Sequence, residues 1–223
     1  MIEGSFAVTL VKSELMAQEI DYYYTSTSPF TWFGQKAICD VAEKHGRKLN
    51  YKPVNLMEVW KTSGAVAPPQ RPPMRQRYRL LELQRVAHYR GLSVIPEPAS
   101  FPANPERADL CCIVLSQRGD DPGDFLFSVG EALWSQDRQI ADESVLAELL
   151  TAAGFDGEDV VATSKQAKFS EARQNNSQDA IGLDVIGAPS YVYEEEVFWG
   201  QDRIDYLDTM ISSGRSPFSG KPD

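Results

Sequence analysis

Ser28 is the first residue of this chain whose setting suggests chemistry. Ile20-Asp21-Tyr22-Tyr23-Tyr24 has strand character, Thr25-Ser26-Thr27-Ser28 breaks it, and Pro29 suits the first turn of a helix. A serine there meets backbone N–H groups that lack helical partners, at the positive end of a helix dipole. Its hydroxyl can donate to a thiolate or an oxyanion at the helix start. The plainer role is an ordinary N-cap. A second position is Ala188-Pro189, ahead of a late strand, where the proline either takes the cis form or makes a trans turn. A third is Trp199-Gly200-Gln201-Asp202-Arg203. Gly200 permits close backbone approach, and Asp202 either pairs with a ligand ammonium or simply complements the macrodipole. A fourth is Arg71 to Arg90, with six arginines and one glutamate. Most of these arginines are expected on a solvated helix face, and Arg71, in the loop ahead of the helix, faces a ligand. A local positive field concentrates anionic small molecules.

Other chemistries lack their residues. His45 and His88 share no metal-ligand spacing with a cysteine or carboxylate. There is no GxSxG, no GxGxxG, no P-loop and no CxxC. The 223 residues carry 22 Lys+Arg against 32 Asp+Glu, a net charge of −10, which argues against nucleic acid as a partner. No apolar run reaches the roughly 18–20 residues that cross a bilayer. Three cysteines, two of them the neighbours Cys111 and Cys112, make no disulfide framework and suit a reducing, cytoplasmic setting. Residues 1–18 do not read as a signal peptide.

The elements that must hold these positions follow from pattern. Residues 4–11 read as a frayed extra strand. Strand 20–24, a helix from Pro29 to His45-Gly46 and a strand over Leu49–Leu56 make a βαβ unit. Four prolines force a loop over Ala65–Pro73. Helical periodicity then covers Met74–Tyr89, 105–118, 123–135, 143–153 and 164–181, with Asp142 and Asp156 as caps. Ser190–Tyr193 and Val197–Trp199 around Glu194-Glu195-Glu196 predict a hairpin, followed by a helix over Gln201–Ile211 and a loose Ser/Gly/Pro-rich tail. The plan is α/β at both ends with a helical middle.

Taken in order, Ser28-Pro29-Phe30-Thr31-Trp32, Phe101-Pro102-Ala103-Asn104, Ile186-Gly187-Ala188-Pro189 and Phe198-Trp199-Gly200-Gln201-Asp202-Arg203 resemble the 2-hydroxychromene-2-carboxylate isomerase family. That family is related to kappa-class glutathione transferases and DsbA-type oxidoreductases. The resemblance implies a thioredoxin-like fold, residues 19–57 and 180–213, interrupted by an all-helical domain over 58–179. Residues 1–18 become an N-terminal extension and 214–223 a flexible tail. It also implies glutathione as cofactor. Ser28 and Phe30 would lie at its sulfur, Ile186, Gly187, Ala188 and Pro189 along its peptide, and Gln201 and Asp202 at its γ-glutamyl end. Lys61, Gln70 and Arg71 would meet the carboxylate of the substrate or the glycyl end.

Ser28 and Thr31 replace both cysteines of a CxxC, so thiol–disulfide exchange by the chain itself is excluded there. The implied activity is a glutathione-dependent isomerisation of an unsaturated, aromatic-derived carboxylate, with Ser28 stabilising the thiolate. A kappa-like transferase and a redox-inactive binding module are the alternatives, and a homodimer is a further expectation. Thr25 stands where the family usually has Asp, Ala65 stands in a Gly-Asn context, and Gln70 where it tends to have Asn; these departures bear on the substrate.

Overall fold

The structure, a computed structural model, describes residues 19–220; the expected strand at 4–11 and the extension over 1–18 lie outside them. β1 (Glu19–Tyr24), α1 (Pro29–Lys44) and β2 (Lys48–Pro53) form the expected βαβ unit, with Tyr22 opposite Tyr51 in a parallel pair. β3 (Ser190–Tyr193) pairs antiparallel with the other edge of β1, and β4 (Glu196–Trp199) follows antiparallel, giving the order β2-β1-β3-β4. Glu194 and Glu195, at φ 49° and 69°, close the hairpin in the left-handed conformation that a tight two-residue turn requires.

Alternation along β1 decides what covers the sheet. Ile20, Tyr22 and Tyr24 join a cluster with Phe33, Ile38 and Ala42 of α1. Tyr23 faces the other way, with Val54, Val59, Ala180, Val185 and Val192. That second face is covered by α2 (Leu56–Ser63) and the C-terminal part of α8 (Ala167–Gly182). Between them run α3 (Pro73–Tyr89), α4 (Glu106–Arg118), α5 (Gly123–Trp134), α6 (Glu143–Ala152) and α7 (Gly157–Thr163). A 3-10 turn, Gln201–Arg203, leads into α9 (Ile204–Ser213), whose Ile204, Leu207 and Met210 return to the first face.

The helical middle shares the sheet's core rather than building its own. Leu83, Leu110, Phe125, Val129 and Leu146 belong to the same cluster as Tyr22 and Phe33. Gly130 allows α5 to lie against α1, because a Cβ there would sit 2.5 Å from the Trp32 side chain. The boundaries expected at 57/58 and 179/180 fall inside α2 and α8, the two helices that pack on the second face.

α2 differs from the expectation of a strand running to Leu56. Asn55 Oδ1 accepts from the Met57 N–H at 3.2 Å, and its Nδ2 donates to Glu58 at 3.0 Å; Gly64 ends the helix at φ 74°. This Asn-x-x-Glu start is a capping pattern legible in the chain. Similarly, Asp156 caps the short α7, so α8 begins at Ala167 rather than at 164. The tail expected to be loose is held at its start. Glu196 of β4 accepts from both Nη atoms of Arg215, at 2.7 and 2.8 Å, and from the Phe218 N–H at 2.7 Å.

Candidate active site: a cleft with two walls

One open cleft of about 1170 Å³ runs between the ends of the strands and the start of α3. This exceeds the roughly 300–1,000 Å³ of common small-molecule pockets, so it has room for a tripeptide and a second small molecule.

The first wall belongs to the sheet. Ser28 is the N-cap of α1, and its Oγ accepts from the Thr31 N–H at 3.3 Å. Capping uses a lone pair and leaves the O–H proton free to donate into the cleft. Capping and a ligand role are therefore compatible in one side chain. The first turn of α1 holds no acidic residue that would offset the positive helix end.

The loop before Ser28 is tied down from three sides. The Ser26 N–H donates to buried Asp109 at 2.9 Å, and the Trp134 indole N–H donates to the Thr27 carbonyl at 3.1 Å. Arg173 donates through Nε to Asp109 at 2.9 Å and through Nη2 to the Val54 carbonyl at 3.1 Å. Burial pushes the Asp109 carboxyl up, against the pull of Arg173 and the Ser26 N–H. Thr25 lines the cleft beside this loop, with its hydroxyl buried and unpartnered among the described residues.

Farther along the same wall, the Ala188–Pro189 peptide bond is cis, and the Pro189 carbonyl accepts from the Gly200 N–H at 2.8 Å. Neither the N–H nor the carbonyl of Ala188 makes a hydrogen bond among the described residues, so both are available to an extended peptide. Gly187 makes room for Trp199, whose Nε1 would lie 2.7 Å from a Cβ there. Gly200 at φ 101° turns the chain into Gln201. The Gln201 side chain is buried, its Oε1 accepting from Arg90 at 2.8 and 3.1 Å, so α3 clamps this corner. Asp202 is exposed and paired with Arg203 at 2.6 Å.

The second wall comes from the helical middle. Arg71 donates to the Val66 carbonyl at 2.7 Å and lies 5.9 Å above the Trp60 ring. Arg75 and Arg79 follow on α3 and line the same cleft. The Arg79 guanidinium sits 5.6 Å from the Trp134 ring and 5.8 Å from that of Phe101, beside a second cis bond, Phe101–Pro102.

Ser28, Phe30, Gly187, Ala188, Pro189, Gln201, Asp202 and Arg71 thus meet in one space. Lys61, Gln70 and Ile186 do not line it. Once Asn55 starts a helix, Lys61 falls on the solvent side of α2. Gln70 is exposed in the 3-10 turn Pro68–Gln70. Ile186 is exposed, its carbonyl accepting from Ser63 Oγ at 3.0 Å. Arg71 lines the cleft as expected of its segment, and Arg75 and Arg79 line it too; their four-residue spacing from Arg71 was the available signal. Thr25, marked in the sequence as a departure from the family pattern, also lines the cleft, as do Trp60 and Arg173, which nothing in the local sequence marks.

No cysteine lines the cleft. Cys39 lies 3.7 Å from the Tyr51 hydroxyl, and Cys111 and Cys112 are buried in α4. Burial pushes all three thiols up, Cys111 to about 11, so each stays protonated near neutrality. Sulfur chemistry in the cleft would need a thiol from outside the chain. Among the described residues no helix is long and apolar enough to cross a membrane.

Comparison with known proteins agrees with this architecture. Residues 19–212 match the DSBA-like thioredoxin domain family. A 2-hydroxychromene-2-carboxylate isomerase from Sphingobium xenophagum is 26% identical over 202 residues, covering 88% of this chain and 99% of that protein. Glutathione S-transferase kappa 1 of Caenorhabditis elegans is 24% identical, covering 86% and 90%. A solved 2-hydroxychromene-2-carboxylate isomerase superposes with a TM-score of 0.76 at 20% identity, over 87% of this chain and 95% of that one. The cytosolic disulfide reductase DsbM of Pseudomonas aeruginosa, solved with GSH, superposes at 0.63 and 16% identity, over 87% and 99%. With a mixed four-stranded sheet, a helical middle and a family match spanning nearly all the described residues, the chain belongs to the DSBA-like thioredoxin domain family.

Proposed function

We propose that this chain is a glutathione-dependent isomerase of the 2-hydroxychromene-2-carboxylate type, acting on an unsaturated small-molecule carboxylate. The observation that carries the reading is a single cleft reaching from the Ser28 hydroxyl, past the free Ala188 peptide groups, to Gln201 and Asp202. Relatives named as such isomerases and as a kappa transferase supply the reaction class.

Glutathione fits the residues present. The Ala188 N–H and carbonyl can pair with its cysteinyl residue. The Asp202 carboxylate can accept from the γ-glutamyl ammonium, exchanging its contact with Arg203. Arg71, at the outer end, suits the glycyl carboxylate. Bound glutathione supplies a thiolate that adds reversibly to an electron-poor carbon. Ser28 donates its hydroxyl proton toward the sulfur while its oxygen stays capped by Thr31. The start of α1 stabilises negative charge at the same point, as helix starts do for cysteine thiolates. Trp134 and Asp109 hold the loop so that this hydroxyl keeps its position. A cytoplasmic setting, where glutathione is abundant and reduced, suits the three free thiols.

The test is calorimetric binding of glutathione to the wild type and to Ser28→Ala, together with turnover of 2-hydroxychromene-2-carboxylate. Saturable binding with a raised melting temperature, and turnover lost in S28A while binding persists, is the expected result. Absence of any melting shift at millimolar glutathione overturns the reading. The kappa transferase relative favours one alternative: consumption of glutathione on chlorodinitrobenzene, with no isomerisation, would identify a transferase. If S28A left both affinity and turnover unchanged, a redox-inactive binding module would be the better description.

A further inference from the structure

The second wall carries more positive charge than a monocarboxylate substrate needs. Arg71, Arg75 and Arg79 recur every four residues and line one face of the cleft. Among the described residues, none of the three has a carboxylate within ion-pair distance, and their one side-chain hydrogen bond runs from Arg71 to the Val66 carbonyl. Several guanidiniums elsewhere are matched by acids: Arg118 with Asp159 at 2.7 Å, Arg138 with Glu148 at 2.6 Å, Arg173 with Asp109 at 2.8 Å. Two carboxylates line the cleft itself, Glu106 and Asp202, and Asp202 is taken by Arg203.

The three arginines differ in depth. Arg71 lies over Trp60. Arg79 is half-buried over the packed rings of Phe101 and Trp134, and the Trp134 indole N–H in turn donates to the Thr27 carbonyl next to Ser28. One indole therefore links Arg79 to the Ser28 loop. Burial and the nearby Arg71 push the Arg79 guanidinium down, against the pull of Glu97; burial and Arg75 push Arg71 down. Neighbouring guanidiniums of one sign, with Glu97 nearby but not within ion-pair distance of any of them, suit the binding of an anion.

We propose that Arg75 and Arg79 form a dianion subsite, and that the co-substrate of this cleft is an unsaturated dicarboxylate. One carboxylate sits on Arg79, which Trp134 links to the Ser28 loop, and the second on Arg75, about 6 Å along the helix from it. Phe101, which lines the cleft there, packs against the unsaturated carbon skeleton, with buried Trp134 behind it. This assignment rests on the glutathione reading in one respect: Arg71 is left to the glycyl carboxylate.

The experiment is calorimetry of isophthalate and benzoate, which differ by one carboxylate, against the full chain with and without saturating glutathione. The subsite requires isophthalate to bind about tenfold or more tighter than benzoate. Arg75→Gln and Arg79→Gln each reduce isophthalate to the benzoate level, Arg79→Lys keeps part of the preference, and added salt weakens it. Glutathione affinity stays within about threefold in Arg75→Gln, a variant at an exposed helix position that carries the test even if Arg79→Gln fails to fold. Equal binding of the two probes to the wild type, or a preference that survives Arg75→Gln, overturns the proposal. Arginine-dependent isophthalate binding without any glutathione binding would sink the glutathione reading and leave the subsite standing; glutathione binding without charge preference would do the reverse.

Discussion

The two walls of the cleft are made of different material. The sheet-side wall offers main-chain groups: the start of α1, the open Ala188 peptide, the turn at Gly200. Such groups recognise a peptide with little dependence on side-chain identity, and they are fixed by the fold itself. The facing wall offers long side chains from α3 and aromatic faces from the following segments, and its chemistry changes whenever those residues change. The first wall suits an invariant tripeptide, the second an individual substrate. If the proposed glutathione reading holds, one fold can keep a main-chain site for the tripeptide while varying the facing side chains.

The largest effect tests whether the walls are one structure. Arg173→Met leaves Asp109 buried without its cation, which costs about 3–5 kcal/mol and loosens the Ser26 anchor. Urea unfolding reads the loss, and a change below about 1 kcal/mol would show the walls to be independently stable. Ser28→Ala comes next. It removes a cap worth about 1 kcal/mol, while glutathione-dependent turnover falls about 10²–10³-fold, as when one donor to a developing anion is lost. Steady-state kinetics beside a melting curve separates the two.

Gly200→Ala is a smaller lesion confined to the sheet-side wall. At φ 101° a Cβ is strained and collides with the Asp202 carboxylate, so about 1–3 kcal/mol is lost locally. Glutathione affinity should weaken while isophthalate affinity does not; equal losses would blur the two walls. Smallest is Glu196→Gln, far from both. Arg215 and the Phe218 N–H hold the Glu196 carboxyl below its ordinary range. A depressed folded pKa stabilises above the unfolded value, about 4.3, and that contribution disappears as pH falls through the folded value. The stability gap between wild type and E196Q should accordingly be present at pH 7 and shrink as pH falls below the ordinary carboxylate range.

Much of the sheet-side wall was legible in the chain. A broken aromatic strand followed by Ser28-Pro29 states a strand, a cap and a helix start, and these are local events. The hairpin around Glu194 and Glu195 and the glycine at 200 are likewise short-range decisions. The facing wall was not legible, because a helix's arginines look alike until something decides which side meets the cleft. Arg75 and Arg79 were read as solvated; both line the cleft, Arg75 from an exposed position and Arg79 half-buried. Lys61 and Gln70, read as facing the ligand, lie outside the cleft because α2 starts at Asn55 and a 3-10 turn runs from Pro68.

By itself the amino-acid sequence determined where strands and helices begin, that residues 28 and 31 hold no thiol, and that Ser28 sits at a free helix end. Those properties depend on backbone propensity and side-chain chemistry within a few residues. Tertiary structure alone decided that Arg79 stands beside Trp134, that Asp109 ties down Ser26, and that the Ala188 peptide is left open. The first two join positions tens of residues apart, and only the packing of a shared core brings such distant side chains within a few ångströms; the third depends on which neighbours that packing leaves away from the peptide.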